Sequence, residues 1–286
     1  MKILIAGGSG SLGYDLALLL SKNHKVMSSY RTANKKFNNN ESLVWKKIDF
    51  KNKINLKFSP DIIVNCLATH KFSKKKKLKD YLDSHVLAVK NLHDIAIKKK
   101  TNLIINLSTV SVYSDNNKKI LINEKDLIDF NNILSITKYF GEKILEQGSV
   151  RYLNLRLPAV LTSNINNRRT WMSNLIYNIK SSKKIKLFNA EKKFNALIDS
   201  FEIYGFIEHV IKKNISGTFN FVPFKSEKLL NIVLFIKKYF NSNSKIFSFR
   251  NDKKSFIYKT DKIQQKISYK TSKVICILKR YLDRYY

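Results

Sequence analysis

The chain is short of the residues that staple, kink and ligate. It has two cysteines, Cys66 and Cys276, far apart and in no Cys-x-x-Cys pair. Neither a disulfide framework nor a zinc site is indicated, and a reducing cytoplasm fits. Three prolines and no Pro/Gly-rich stretch leave no linker between independent parts. The absence of a run of about 18 apolar residues argues against a membrane-spanning helix. The opening Met-Lys-Ile-Leu-Ile-Ala runs directly into glycines. A secretory signal needs a longer apolar stretch and a cleavage site, so a cytoplasmic protein is expected. Acid is scarce: Asp and Glu number 21 against 54 Lys and Arg, for a net charge of +33 and a pI of about 10.0. Such a charge raises nucleic acid or anionic membrane as partners. Lysine, however, is spread along the whole chain, as in 74–77, 98–100 and 183–184, and no stretch alternates basic and aromatic residues as a nucleic-acid platform does. Solvated lysine faces account for the charge, no nucleic-acid partner is expected, and the field favours an anionic ligand within about 8 Å.

Glycine is also scarce, but it is concentrated. Four of the eight glycines, Gly7, Gly8, Gly10 and Gly13, lie in one stretch. They separate an apolar strand at 2–6 from a helical pattern at 12–22. Further strands are read at 25–30, 61–67, 103–107 and 151–157, with helices at 79–99 and 135–147. Strands alternating with helices imply parallel βαβ units and a doubly wound sheet. After Pro158 the pattern loosens, with helices at 170–181 and 226–240 and a strand at 217–222. The expectation is a Rossmann-type α/β fold: residues 1–160 form the dinucleotide-binding domain, and 161–286 form a smaller substrate-binding lobe interleaved with the sheet.

The spacing Gly7-x-x-Gly10-x-x-Gly13, between a strand and a helix, is the pattern that holds a pyrophosphate. Gly7 makes the tight turn, Gly10 lets the backbone approach the phosphates and Gly13 lets the helix pack on the strand. The backbone of Ser9, Ser11 and Leu12 completes the contact at the helix N-terminus. The second strand ends Ser28-Ser29-Tyr30-Arg31, where an NAD-selective site would carry an acid for the ribose 2′-hydroxyl. No acid occurs between Asp15 and Glu41. Arg31 offers a planar fork for a 2′-phosphate, with Lys35 and Lys36 nearby, which favours NADP over NAD.

From here the chain resembles the extended short-chain dehydrogenase/reductase family, the NAD-dependent epimerases and dehydratases that act on nucleotide sugars. The glycine spacing is the family's. Asp49-Phe50 lies where the family places an adenine contact, and Asn65-Cys66-Leu67-Ala68 is similar to its strand-end motif beside the cofactor ribose. Ser108-Thr109-Val110-Ser111-Val112-Tyr113 resembles its Ser-Ser/Thr-x-x-Val-Tyr motif, Arg156-Leu157-Pro158 its segment near the nicotinamide, and Glu202 falls where it usually has Asp. The resemblance implies an epimerase or reductase in the synthesis of surface polysaccharide precursors. It assigns Thr109 to orienting the substrate oxygen and Lys138 to the ribose, with Glu142 at the usual offset behind it. It also implies a catalytic tyrosine four residues before the lysine, and that position is Leu134. A leucine cannot transfer a proton. Three readings therefore stay open: an altered enzyme in which Tyr113, Tyr139 or a water supplies the proton, a catalytically impaired NADP-binding or regulatory protein, or a shifted loop.

The remaining candidates come from the same resemblance. His70, Arg168, Arg169 and Trp171 fall in the substrate region, where they would hold a nucleotide diphosphate and stack its base. His85 replaces a frequent Asn and reads as structural. Val110 and Ser111 stand where a sugar dehydratase would need Asp and Glu, which disfavours dehydration. The segment Val274 to Tyr286 is basic and amphipathic. It either lies on an anionic membrane surface or packs as a terminal helix. No metal is expected, and a homodimer is compatible with the family.

Overall fold

The computed structural model describes residues 1–32, 37–69, 77–115, 120–165, 170–251 and 255–286. His70, Arg168 and Arg169, with Lys35 and Lys36, lie outside the described residues. The chain separates into two compact units. One comprises 1–114, 127–157 and 203–219, the other 115–126, 158–202 and 220–286.

A seven-stranded sheet organises the first unit. Its strands are β1 (Lys2–Ala6), β2 (Lys25–Tyr30), β3 (Leu43–Lys47), β4 (Ile62–Asn65), β5 (Leu103–Thr109), β6 (Tyr152–Leu157) and β7 (Gly217–Asn220), in the spatial order β7-β6-β5-β4-β1-β2-β3. The pairings β1–β2, β1–β4, β2–β3, β4–β5 and β5–β6 are all parallel. The expected Rossmann-type sheet is therefore present. Strand order reverses at β1, so the loop after β1 opens at the switch point where such sheets bind ligands. Strand β3 is absent from the sequence reading. It is an edge strand whose apolar run of three residues gives way to exposed Lys46 and Lys47, so it shows no continuous apolar stretch.

The helices are α1 (Ser11–Leu20), α2 (Leu78–Leu82), α3 (Ala88–Lys98) and α4 (Ile133–Glu146) in the first unit; α6 (Ser200–Val210) begins in the second unit and continues in the first. The single helix expected at 79–99 is interrupted by a π-helical turn, Asp83–Leu87, between α2 and α3. On the α3 side of the sheet, Leu4, Ala6, Ile63 and Ile104 pack with Leu92, Ile95 and Leu145. In the same direction the sheet carries a row of buried amides at matched register: Asn65 opposite Asn106, and Asn106 opposite Asn154. Asn65 Nδ2 donates to Asn106 Oδ1 at 2.8 Å, Asn106 Nδ2 to Asn154 Oδ1 at 2.9 Å and Asn154 Nδ2 to Thr218 Oγ1 at 3.1 Å. All the bonds run one way, so each amide polarises the next, and a one-residue slip of any strand would break them.

The second unit contains α5 (Trp171–Lys180), α7 (Leu229–Tyr239), α8 (Asp261–Ile267) and α9 (Val274–Tyr285). Its core joins Met172, Ile176 and Ile179 of α5 to Ile232, Val233 and Ile236 of α7 and to Val274, Leu278 and Leu282 of α9. The apolar face of α9 is thus spent inside this core, and the reading of the C-terminal segment as a membrane-surface helix gives way to that of a packed terminal helix. Arg280 fixes α9 from its other side, with Nε 2.8 Å from Asp199 Oδ2 and Nη2 2.8 Å from Glu202 Oε2. Burial raises the Asp199 carboxyl above its ordinary range, against the pull of Arg280.

Candidate active site

The glycine loop is built as its spacing requires. Gly7 has φ of +89°, and a Cβ there would stand 3.1 Å from the backbone of Cys66 and Leu67. A Cβ on Gly13 would meet the Gly7 carbonyl oxygen at 2.4 Å, so only glycine lets α1 start this close to β1. Gly7 N–H donates to Ser29 Oγ at 2.9 Å and Gly10 N–H to the Gly7 carbonyl at 3.1 Å. A Cβ on Gly10, by contrast, would find only that carbonyl, at 3.4 Å. Gly10 caps α1 without a side-chain bond, and Ser9 and Gly10 are exposed. The start of α1 therefore sits behind an exposed, side-chain-free turn, a cradle that fits a pyrophosphate. Arg31 is exposed just past β2. Asp49 is half-buried, and Phe50 is buried with its carbonyl held by Asn91 Nδ2 at 2.8 Å.

The second wall is the loop after β4. Asn65 Oδ1 accepts from Leu67 N–H at 3.1 Å, and Leu67 and Ala68 are half-buried. Lys138 reaches this loop from α4. Its Nζ donates to the carbonyls of Leu67 and Leu107, both at 3.0 Å. Burial brings the Lys138 ammonium down to about 8, with Cys66 and Glu142 acting in the opposite sense. Burial pushes the Cys66 thiol up to about 12, which makes it a poor nucleophile at neutral pH.

His85, on the π-turn, locks the same loop to α4. Its Nε2 accepts from Thr69 N–H at 2.9 Å, so that nitrogen carries no proton, and Nδ1 donates to Thr137 Oγ1 at 2.8 Å. Thr137 passes the bond to the Ile133 carbonyl at 2.7 Å. Buried and engaged at both nitrogens, His85 is structural, as the sequence suggested.

Thr109 ends β5 and is half-buried; its Oγ1 accepts from Ser111 N–H at 3.1 Å. Tyr113 follows a short turn. Its hydroxyl accepts from Arg156 Nη1 at 2.9 Å, and the guanidinium lies 4.9 Å from the ring centroid. Arg156 also grips Glu142, with Nη2 to Oε2 at 2.7 Å and Nε to Oε1 at 3.1 Å, while Ser108 Oγ donates to the same carboxylate. Leu134 lies half-buried one turn before Lys138 on α4, its N–H capped by Asn132 Oδ1 at 3.0 Å. Tyr139 packs instead against Phe130 and under Lys143. Pro158 follows β6 directly, half-buried, and in the second unit Trp171 is exposed at the start of α5.

The sequence reading missed the asparagine row and the Ser108–Glu142–Arg156–Tyr113 network. Each of those asparagines sits inside an apolar strand, and that mismatch was the available signal. Among the described residues no cluster of His, Cys, Asp or Glu could hold a metal ion. Nor is any helix among them long and apolar enough to cross a membrane.

A glycine cradle at the switch point, with a buried lysine on the neighbouring strand ends, defines a nicotinamide-dinucleotide protein of the short-chain type. The sequence model of the NAD dependent epimerase/dehydratase family matches residues 3–219, and the chain belongs to that family. No curated protein matches it. Among solved structures it is similar to the Bordetella bronchiseptica enzyme WbmG in complex with NAD and UDP, at 16% identity and TM-score 0.81 over 100% of this chain and 96% of that one. UDP-glucose 4-epimerase from Thermotoga maritima with UDP-glucose aligns at 16% identity and TM-score 0.81, over 99% of each chain. A dTDP-4-dehydrorhamnose reductase from Clostridium acetobutylicum aligns at 18% identity and TM-score 0.77, over 99% of each chain.

Proposed function

We propose that the protein is a nicotinamide-dependent epimerase or reductase of a nucleotide-linked sugar, serving surface polysaccharide precursor synthesis, with Leu134 in place of the usual catalytic tyrosine. The observation that carries this reading is the pairing of an open glycine cradle with Lys138 held by two strand-end carbonyls. Similar folds carry NAD with UDP, or UDP-glucose, which supports the substrate class.

The bound dinucleotide would supply hydride exchange at a sugar carbon. The backbone of Gly7, Ser9, Gly10, Ser11, Leu12 and Gly13 would hold its phosphates, Asp49 and Phe50 the adenine, and Leu67, Ala68, Lys138 and Pro158 the nicotinamide half. Arg31, without an acid on its strand end, supports NADP over NAD. Thr109 would orient the sugar oxygen. Tyr113 is the proposed proton donor: Arg156 beside its oxygen would stabilise the charge left when the proton departs. Trp171, with His70, Arg168 and Arg169, would engage the nucleotide. A homodimer would find exposed apolar side chains at Leu82, Leu87 and Phe140.

The purified protein, incubated with UDP-, dTDP- and GDP-sugars and either dinucleotide, should convert at least one of them, read by product chromatography. Leu134 favours one alternative, a catalytically impaired NADP-binding or regulatory protein. That reading predicts dinucleotide binding with no conversion.

A further inference from the structure

The second unit exposes an aromatic and cationic face that none of the chemistry above uses. Strands Ile185–Phe188 and Ile246–Phe249 form a two-stranded parallel sheet in the register Lys186 opposite Phe247 and Phe188 opposite Phe249. Paired residues in a parallel sheet point the same way, and along each strand the sides alternate. Ile185, Leu187 and Ile246 belong to the core of the unit. The opposite face therefore carries Lys186, Phe188, Phe247 and Phe249. The three phenylalanines are 50%, 43% and 42% exposed, in one contiguous group with Phe188 and Phe249 centroids 5.5 Å apart. Exposed apolar groups of this kind mark interaction sites.

The two strands themselves carry charge of one sign, and the nearest acid in the first segment, Glu191, is paired with Lys228. Lys184 and Lys245 stand before the two strands, bridged by the Ile185 N–H to Lys245 carbonyl bond at 2.9 Å, and Arg250 follows the second strand. All three cations are exposed, as is Lys186, and among the described residues no ion pair engages any of the four. Residues 182–190 and 243–250 contain no acid. A second copy of the chain would bring like charge against this face. Phe188 and Phe249 lie tilted against each other, so one ring edge or face of each is spent on its neighbour and not on a base.

We propose that this face is a peripheral docking surface for an anionic lipid bilayer. Phe188, Phe247 and Phe249 enter the acyl boundary, while Lys184, Lys186, Lys245 and Arg250 remain at the headgroups. The surface is independent of the catalytic reading, and it differs from the α9 segment, for which the sequence left membrane contact open. Sequence alone concealed it because the two halves lie far apart and meet only through strand pairing.

The full-length protein is sedimented with vesicles of phosphatidylglycerol and phosphatidylcholine in equal parts, and with vesicles of phosphatidylcholine alone. Wild type should bind the anionic vesicles and leave the zwitterionic ones. The triple variant Phe188→Ser, Phe247→Ser, Phe249→Ser should lose at least ~10-fold in partitioning, and the single variant Phe247→Ser a smaller part of that. The charge variant Lys184→Glu, Lys186→Glu, Lys245→Glu should lose binding to a similar degree, with thermal melts confirming that every variant is folded. Absence of wild-type binding, or anionic binding that the phenylalanine variants retain, overturns the proposal. Loss of polynucleotide binding by the phenylalanine variants, with no vesicle binding by wild type, would assign the face to nucleic acid and overturn it too.

Discussion

The ammonium of Lys138 donates to the Leu67 carbonyl at 3.0 Å, tying α4 to the loop that follows β4. Burial holds this group at about 8 instead of its usual 10.5. It is charged below about 8 and neutral above. Dinucleotide affinity is therefore expected to decline as pH rises through about 8, and Lys138→Met to flatten that decline. Calorimetry across the range tests it. The folded chain also binds fewer protons than the unfolded one between about 8 and 10.5. Stability of wild type relative to Lys138→Met should accordingly rise with pH in that window.

Arg31→Ala should weaken NADP binding by about tenfold or more, the worth of a charge-assisted bond to the 2′-phosphate, and leave NAD binding nearly unchanged. Equal wild-type affinities for the two dinucleotides would remove Arg31 from the site.

Glu142 and Arg156 form a pair whose side chains are 2% and 4% exposed. Glu142→Leu should cost about 3–5 kcal/mol in chemical denaturation, because it leaves a buried guanidinium without its carboxylate. The double variant Glu142→Leu, Arg156→Met should recover much of that loss. A double variant no more stable than the single one would show that the pair holds more than its own charges.

The sequence disclosed the sheet because its strands are apolar runs with helices between them, and it disclosed the phosphate cradle because four glycines share one turn. It did not disclose β3, whose three apolar residues run straight into Lys46 and Lys47, or the π-turn, around which Tyr81 and His85, not Leu82, face inward. The links made by His85, Glu142 and Arg156 depend on how helix α4 and the π-turn pack against the strand ends and loops, which no local pattern reveals. The Phe188, Phe247 and Phe249 face was hidden because its two strands lie about 60 residues apart in sequence and meet only on pairing.

Tyr113→Phe removes the hydroxyl that Arg156 holds. If that phenol supplies the proton, turnover should fall about 10²- to 10⁴-fold with dinucleotide affinity unchanged. A loss below about tenfold, within what a misplaced Arg156 would cause, would confine Tyr113 to holding that guanidinium.

The most direct test of the account is turnover of one accepted nucleotide sugar by wild type and by Leu134→Tyr under the same conditions. A phenol one helical turn before Lys138 supplies the arrangement that the resemblance to the family implies. The account predicts measurable wild-type conversion and a gain of about tenfold or more in the variant, within the range of a positioned general acid. Tight dinucleotide binding with no conversion by either protein would contradict it.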